Sequence, residues 1–380
     1  MTLLGYEWRK LARMSALWVF VALCLLFNIF YVSSAGYNRR FVNEVSQTAA
    51  RLGNQVDAAF LEGLSAMDRT KNQDLLLSGC RELTDVFAFY DTAGLTEAYR
   101  HWLGDSLAGR WIGWKYERLS PRAVHLSQSG ASMDLYAGPA TANAHSFLFG
   151  DLMRFILGEA AILGMLSTLA LLGHEEIHRT TQTVCASRTG RRLFRWKLGA
   201  GVAAAMALYL AVAAVTLGTY FALFDYSGIW DSSISSGFNQ LTDMLIPRPV
   251  LTWADFTVGG YLAAALALGA VLTAVLALLA GFVWVVIRRV YLAALVLMAV
   301  CLGGLVVPSV LAELDLWTAY ALCTFEPVIV LLNPAGWFTE LGMNAFIPWQ
   351  ETAVTASWLA LLGGGTAALL KRMDRKDVPA

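Results

Sequence analysis

Charge is what this sequence has little of. Only 15% of its 380 residues are Asp, Glu, Lys or Arg, against roughly a quarter in soluble chains. The charges that do occur are clustered, and long stretches hold none. Hydrophobic residues make up 57%. Together these features exclude an ordinary soluble domain and indicate a polytopic membrane protein. Acidic and basic residues balance at 28 each, so no surplus positive charge points to a nucleic-acid partner. Cysteine is scarce and odd in number, with five residues. Cys24 and Cys301 lie in apolar runs and Cys185 in a basic stretch. Cys80 and Cys323 fall in segments read as external, where one disulfide between them is allowed but no framework is implied. The phosphate cradle G-x-x-x-x-G-K-[ST] is absent, which excludes that kind of ATPase site from this chain.

What is present is a set of apolar runs long enough to cross a bilayer, near Leu17–Ser34, Met153–Leu172, Leu198–Leu223, Val258–Val286, Val290–Val310 and Ala353–Leu370. Each reaches about the 20 residues a span requires. The first is too long for a signal-peptide core and is read as an uncleaved span. Basic residues then set orientation. Arg9, Lys10 and Arg13, the run Arg179 to Lys197, Arg288 and Arg289, and Lys371 to Lys376 all fall on one side. The opposite short loops hold Arg248 among many carboxylates. The expected fold is therefore an all-α integral membrane protein with six transmembrane helices and cytoplasmic N and C termini. A mainly helical ectodomain is expected between helices 1 and 2.

The expected divisions are 1–35 for an amphipathic helix and the first span, 36–150 for the ectodomain and 151–173 for the second span. Residues 174–197 form a cytoplasmic segment and 198–223 the third span. An outer loop takes 224–257, a helical hairpin of spans four and five 258–310, an outer re-entrant or interfacial region 311–352, and the last span with its tail 353–380. Within the ectodomain, apolar spacing predicts one helix from Phe41 to Met67. A second carries Leu83, Val86, Phe87 and Tyr90, and a third Leu95, Tyr99, Trp102 and Leu107, with loop or short strand beyond Pro121. A short helix is expected around Phe238–Leu245. In the last outer region Glu326, Pro327, Asn333 and Pro334 interrupt an apolar run, and a pair of interfacial helices is expected with Trp317, Trp337 and Trp349 at headgroup level. Gly199, Gly201, Gly259, Gly260 and Gly363 to Gly365 are expected helix seams. Glu159 stands alone in the second span and is a candidate for a translocation path, or else a structural partner of Arg154 or a tyrosine.

His174–Glu175–Glu176–Ile177–His178 fits H-E-x-x-H, in which two histidines hold zinc and the glutamate works on a water. The other histidines, His101, His125 and His145, fall on the far side of the bilayer, so a third ligand would have to be a carboxylate such as Glu7 or Asp374. A membrane zinc metalloprotease held by His174 and His178 is therefore the alternative reading, beside a membrane sensor or scaffold whose ectodomain binds a ligand. The main reading treats Glu175 to Ala186 as a polar helix of about three turns exposed between two spans, a docking surface for a soluble partner.

That segment resembles the cytoplasmic elbow of ABC-2 type transporter permeases. Glu175 and Glu176 match the family's acidic pair, Thr181 its threonine, Ser187 its serine, Arg191 and Arg192 its basic turn, and Lys197 the lysine opening the third span. Thr180 stands where the family often has glycine, and no proline lies between Ser187 and Arg191. The stretch GYEWRKLARM resembles the family's amino-terminal elbow helix, and LLNPAGWF its re-entrant region. The resemblance implies a non-enzymatic permease subunit in a bacterial plasma membrane, exporting a peptide, lipid or drug-like substrate. Its partners would be separate ABC ATPase subunits, which bind ATP and Mg, and a second permease subunit, as a homodimer or with a related chain. Membrane lipid would surround it. Glu175, Glu176, Arg179, Thr181, Gln182, Ser187 and Arg188 would couple it to the ATPase.

Overall fold

The computed structural model describes residues 3–186, 190–243 and 246–375. Helix dominates, six helices are long and apolar enough to cross a membrane, and the sheet content is one small hairpin among the described residues. The chain is an all-α multi-pass membrane protein.

The amphipathic α1 (Leu3–Ala12) bends at Arg13–Met14 into the first span, α2 (Ser15–Ser34). The Trp18 indole N–H donates to the Ala12 carbonyl across that bend at 3.0 Å. Five helices follow: α3 (Gly36–Leu52), α4 (Ala58–Ala66), α5 (Lys71–Glu82), α6 (Thr92–Leu103) and α7 (Leu107–Gln128). The last four each begin on a side-chain cap, from Asp57, Thr70, Asp91 and Ser106. Such caps stabilise a helix start by about 1 kcal/mol each.

These caps and the glycines between them redraw the expected boundaries. The single helix from Phe41 to Met67 is two helices, because Gly53 (φ 97°) ends α3 and Asp57 starts α4. The helix expected on Leu83 to Tyr90 lies earlier, as α5, started by a capping box between Thr70 and Gln73; Leu83 to Tyr90 is turn and extended chain. The third expected helix breaks at Gly104 (φ 58°), and Leu107 opens α7 instead. The loop expected beyond Pro121 is helical to Gln128. Pro121 and Glu117 are both exposed, so water can meet the carbonyl that the proline leaves unpaired.

Short 3-10 turns lead to α8 (Thr141–His145), a π-helical turn and α9 (Met153–Ile177), one helical run across the bundle. After α10 (Thr181–Cys185) comes the third span, α11 (Leu193–Leu223). In the loop that follows α11, β1 (Gln240–Asp243) pairs antiparallel with β2 (Ile246–Pro249). This strand replaces the helix expected around Phe238–Leu245; Leu245 itself lies outside the described residues. The hairpin of α12 (Val258–Ile287) and α13 (Val290–Glu313) turns on Arg288, in left-handed backbone, and extended Arg289. Two short helices, α14 (Trp317–Cys323) and α15 (Pro327–Leu332), precede the last span, α16 (Gln350–Arg375), in the region where a re-entrant or interfacial pair was expected.

Helix α9 is the axis of the bundle, packed most closely on α11 and α12. The contacts are made by small residues. A Cβ added to Gly164 would lie 2.8 Å from that of Ala205, and one added to Gly201 would meet Thr168 at 2.7 Å. Gly201 was an expected seam residue. Gly199, Gly363 and Gly364 face open space, while Gly365 and Gly259 only touch Phe282 and Trp230 and Gly260 its own cap Thr257. At one end Leu172, Phe194, Trp284, Val290 and Leu370 form a separate apolar cluster, which brings the far end of α16 back to the α9–α11 junction. At the other end the helical domain meets the outer loops. Trp337 is buried there, its indole N–H donating to the Val330 carbonyl at 2.9 Å, rather than lying at the rim. Trp317 is half-buried and Trp349 partly exposed. Cys80 and Cys323 are free thiols.

Candidate functional site

Lys197 opens the third span and Glu175 closes the second. A lysine and a glutamate at span ends would ordinarily reach for water. Here both are buried and meet each other. The Lys197 ammonium also donates to the Leu171 carbonyl at 2.6 Å, one turn before Glu175 on α9. From α1, Glu7 and Lys10 complete the group. Lys10 donates to Glu7 at 2.9 Å and to Glu175 at 3.1 Å, and Glu7 lies 3.8 Å from Lys197. Burial works against the Lys10 charge, but the Glu7 and Glu175 carboxylates outweigh it and raise the ammonium above its ordinary value. Two cations and two anions so close cancel, which is what allows four ionised groups to leave water together. The result is a neutral knot tying the amphipathic helix to the ends of α9 and α11.

This placement changes the reading of the acidic pair. Glu175 is not an exposed docking charge but the centre of the knot. Glu176 is half-buried and accepts from the Val290 backbone N–H at 2.9 Å, satisfying one of the orphan donors at the start of α13. The three-turn helix expected from Glu175 to Ala186 is instead the end of α9, a turn with Arg179 in left-handed backbone, and the short α10. Arg179, Thr181 and Gln182 are exposed on this elbow. Ser187 and Arg188 lie outside the described residues. His174 and His178 sit side by side, ring centroids 4.4 Å apart. The Glu175 carboxylate between them in sequence is committed to two ammonium groups. Among the described residues, no three His, Cys, Asp or Glu side chains are grouped to hold a metal ion.

Deeper in the bundle, Asn28 of α2 donates to the Glu159 carboxylate of α9 at 2.8 Å and to the Thr216 hydroxyl of α11 at 3.0 Å. Glu159 is therefore partnered by an amide. Arg154 donates to the Leu332 carbonyl instead, and Tyr31 to Asp151. Asp151, in the π-helical turn that leads into α9, lies eight residues before Glu159, and Asn28 and Tyr31 are three apart on α2. A polar seam thus runs between these helices, with Phe27, Tyr31 and Phe155 packed edge-on between its two acids. Its outer end opens into a cleft of about 440 Å³ lined by Asn38, Asn143, Asp151 and Tyr220 among others.

A second charged knot lies at the opposite end of the bundle, where the helical domain meets the loops. Lys115 of α7 is fully buried and donates to the carbonyls of Glu340, Gly342 and Ala345 at 2.6–2.9 Å and to the Glu340 carboxylate at 3.2 Å. Tyr90 and Tyr116 also donate to Glu340, each at 3.0 Å, and Arg248 of β2 lies 3.8 Å away. Burial opposes ionisation of Glu340, but Lys115, the Gly342 N–H, Arg248 and Tyr90 prevail and hold the carboxyl below its ordinary 4.5. The loop so clamped includes Phe338 and Leu341 in left-handed backbone, a strained state for non-glycine residues. Next to it, the Tyr261 hydroxyl of α12 reaches the carbonyls of Pro334, Ala335 and Trp337, and His145 contacts Ala335. The Asn333–Trp337 turn is thus seated on α12 and α8.

Lys115, Glu340 and Asn28 were not singled out from sequence, and Glu7, named there only as a possible third zinc ligand, is paired with Lys10 instead. The usable signals were a lone lysine between aromatics in WKY and a lone amide in LLFNIF. No protein-family model matches the chain, and neither does any curated protein or solved structure.

Proposed function

We propose that the chain is the membrane-spanning subunit of an ATP-driven ABC-2 type exporter. Its substrate would be a peptide, lipid or drug-like molecule, and its energy would come from separate ATPase subunits. A second permease subunit completes the assembly. One observation carries this reading. The exposed elbow at Arg179–Gln182 is short, and its root is locked by the Glu7–Lys10–Glu175–Lys197 knot to three helices at once. A push on such an elbow cannot be absorbed locally. It tilts α1, α9 and α11 together, as a rigid-body switch requires. The end bearing the termini then faces the cytoplasm, and the seam between α2 and α9, from Asp151 to Glu159, is the path that tilting opens.

Co-expression with any ABC ATPase encoded beside this gene tests the reading. The complex should survive purification in mild detergent, and its ATPase rate should respond to the permease. Arg179→Glu with Gln182→Glu alters only exposed side chains and should abolish both association and response while the permease still folds. Failure of any ATPase to associate, or full association of the double variant, rejects the proposal.

A further inference from the structure

Helix α1 carries Tyr6, Arg9 and Lys10, and Arg13 follows in the turn at its end, at intervals of three and four that place them on one stripe. The end of α9 carries Ala170, His174, Ile177 and His178 at similar intervals. The two stripes face each other across a cleft of about 470 Å³. Met14, the residue at the bend before α2, completes the lining. Lys10 is neutralised by Glu7 and Glu175 and lies over the Tyr6 ring at 4.9 Å. Arg9 and Arg13 are exposed and have no carboxylate partner among the described residues. The knot is neutral as a whole, so the cleft keeps the charge of these two arginines.

Its depth matters as much as its charge. Met14 immediately precedes one span and Ile177 ends another, which puts the cleft where helices leave hydrocarbon and enter the headgroups. Below it on α9, Ile162, Leu166 and Ala170 continue the His174 line at four-residue steps. Ile162 and Leu166 are exposed, 46% and 49%. A cationic mouth thus stands directly above an exposed apolar stripe of α9. A soluble anion would use only the mouth; an amphiphile would use both.

We propose that this cleft binds the phosphate of an anionic phospholipid, with Arg9 and Arg13 on the phosphate and an acyl chain along Ala170, Leu166 and Ile162. Guanidinium suits this role because its planar fork grips two phosphate oxygens at once. A lipid held there would brace α1 against α9 beside the charged knot. The inference needs only the membrane-spanning character of the bundle and stands apart from the transport reading.

Native mass spectrometry of the full chain in detergent, titrated with phosphatidylglycerol or phosphatidylcholine, tests it. Wild type should retain phosphatidylglycerol preferentially. Arg9→Gln with Arg13→Gln should weaken that retention roughly thirtyfold, a factor of about five for each basic residue at the surface. Lys371→Gln with Arg372→Gln, which removes equal charge from the end of α16, should change it less than about twofold on the same scale. Glycerol phosphate and inorganic phosphate, which lack tails, should not displace the lipid at equal concentration. Equal retention of the two lipids, or an equal loss from both double variants, overturns the proposal. Displacement by inorganic phosphate overturns it in favour of a free-anion site.

Discussion

Replacing Lys197 with methionine keeps the side-chain length and removes the charge, and it should unsettle the whole inner end of the bundle. The ammonium is buried and satisfies Glu175, the Leu171 carbonyl and, at 3.8 Å, Glu7. Without it, two carboxylates share Lys10 alone, and the knot carries a buried net negative charge. Removing one partner of a buried ion pair costs about 3–5 kcal/mol. Lys10 remains within 3.1 Å of both carboxylates, so the lower end, about 3 kcal/mol, applies. Glu175→Gln alone should cost a similar amount by leaving the opposite charge in excess. The double variant restores neutrality, with Lys10 facing Glu7. It should therefore cost no more than either single change, a coupling of about 3 kcal/mol, the upper range for contacting residues. The assay is denaturant titration in mixed micelles, read by tryptophan fluorescence. A Lys197→Met loss below about 1 kcal/mol, or a double variant near the 6 kcal/mol sum, would refute the knot as a single electrostatic unit.

At the outer end, Lys115→Met should cost at least about 3 kcal/mol by the same reasoning, and proteolysis should then cut residues 107–128 far faster than in wild type. The Glu340 carboxyl is held below its ordinary 4.5 in the folded chain. Its stabilising contribution is therefore full above that value and is lost as pH falls through the lower folded value. Hydrogen exchange in α7 and the 338–346 loop should rise on acidification below about 4.5 and be flat above it; a Glu340→Gln chain should show no such step. Gly201→Val should break the α9–α11 contact, because even a Cβ would meet the Thr168 backbone at 3.0 Å. Gly364→Ala, with no atom within 4 Å, should raise stability by up to about 1 kcal/mol through helix propensity. Equal melting temperatures for these two variants would contradict the assigned seam.

The spans were legible because a bilayer-crossing helix leaves a signal that depends on composition and length alone, and the six apolar runs match α2, α9, α11, α12, α13 and α16 to within a few residues at most ends. The helical domain was legible only as helical. Its boundaries are set by Gly53, Thr70, Gly104 and Ser106, local backbone and capping events that apolar spacing does not register. Glu175 was visible as a site residue but not its state. Burial of a charge is decided by what folds against it, and Glu7 and Lys10 come from more than 160 residues away. Lys115 and Glu340 were hidden for the same reason, being 225 residues apart. Asn28 could have been noticed as the only amide in its span, since an amide in hydrocarbon must find a partner and Glu159 was already in want of one.

The two knots differ in what they leave free. The Lys115–Glu340 knot fastens α7 to the loop between α15 and α16, and the Glu7–Lys10–Glu175–Lys197 knot fastens α1 to α9 and α11. Neither touches α13, whose flanks Tyr291, Leu295, Met298, Leu302 and Val306 are all more than half exposed. Its polar link to the inner knot is indirect, a backbone N–H donated from Val290 to Glu176, the neighbour of Glu175. A tilt of α9 and α11 would therefore strain that capping bond together with the apolar packing of Val290 against Leu172 and Gly173. Glu176→Ala should cost little in overall stability, about 1 kcal/mol as for other caps, yet uncouple α13 from the elbow. If α13 moves with α9, a spin-label pair on Tyr291 and Ile177 should show one narrow distance in the wild type and a broad one in Glu176→Ala. An unchanged distance distribution would mean that apolar packing, and not the cap, holds the hairpin to the elbow.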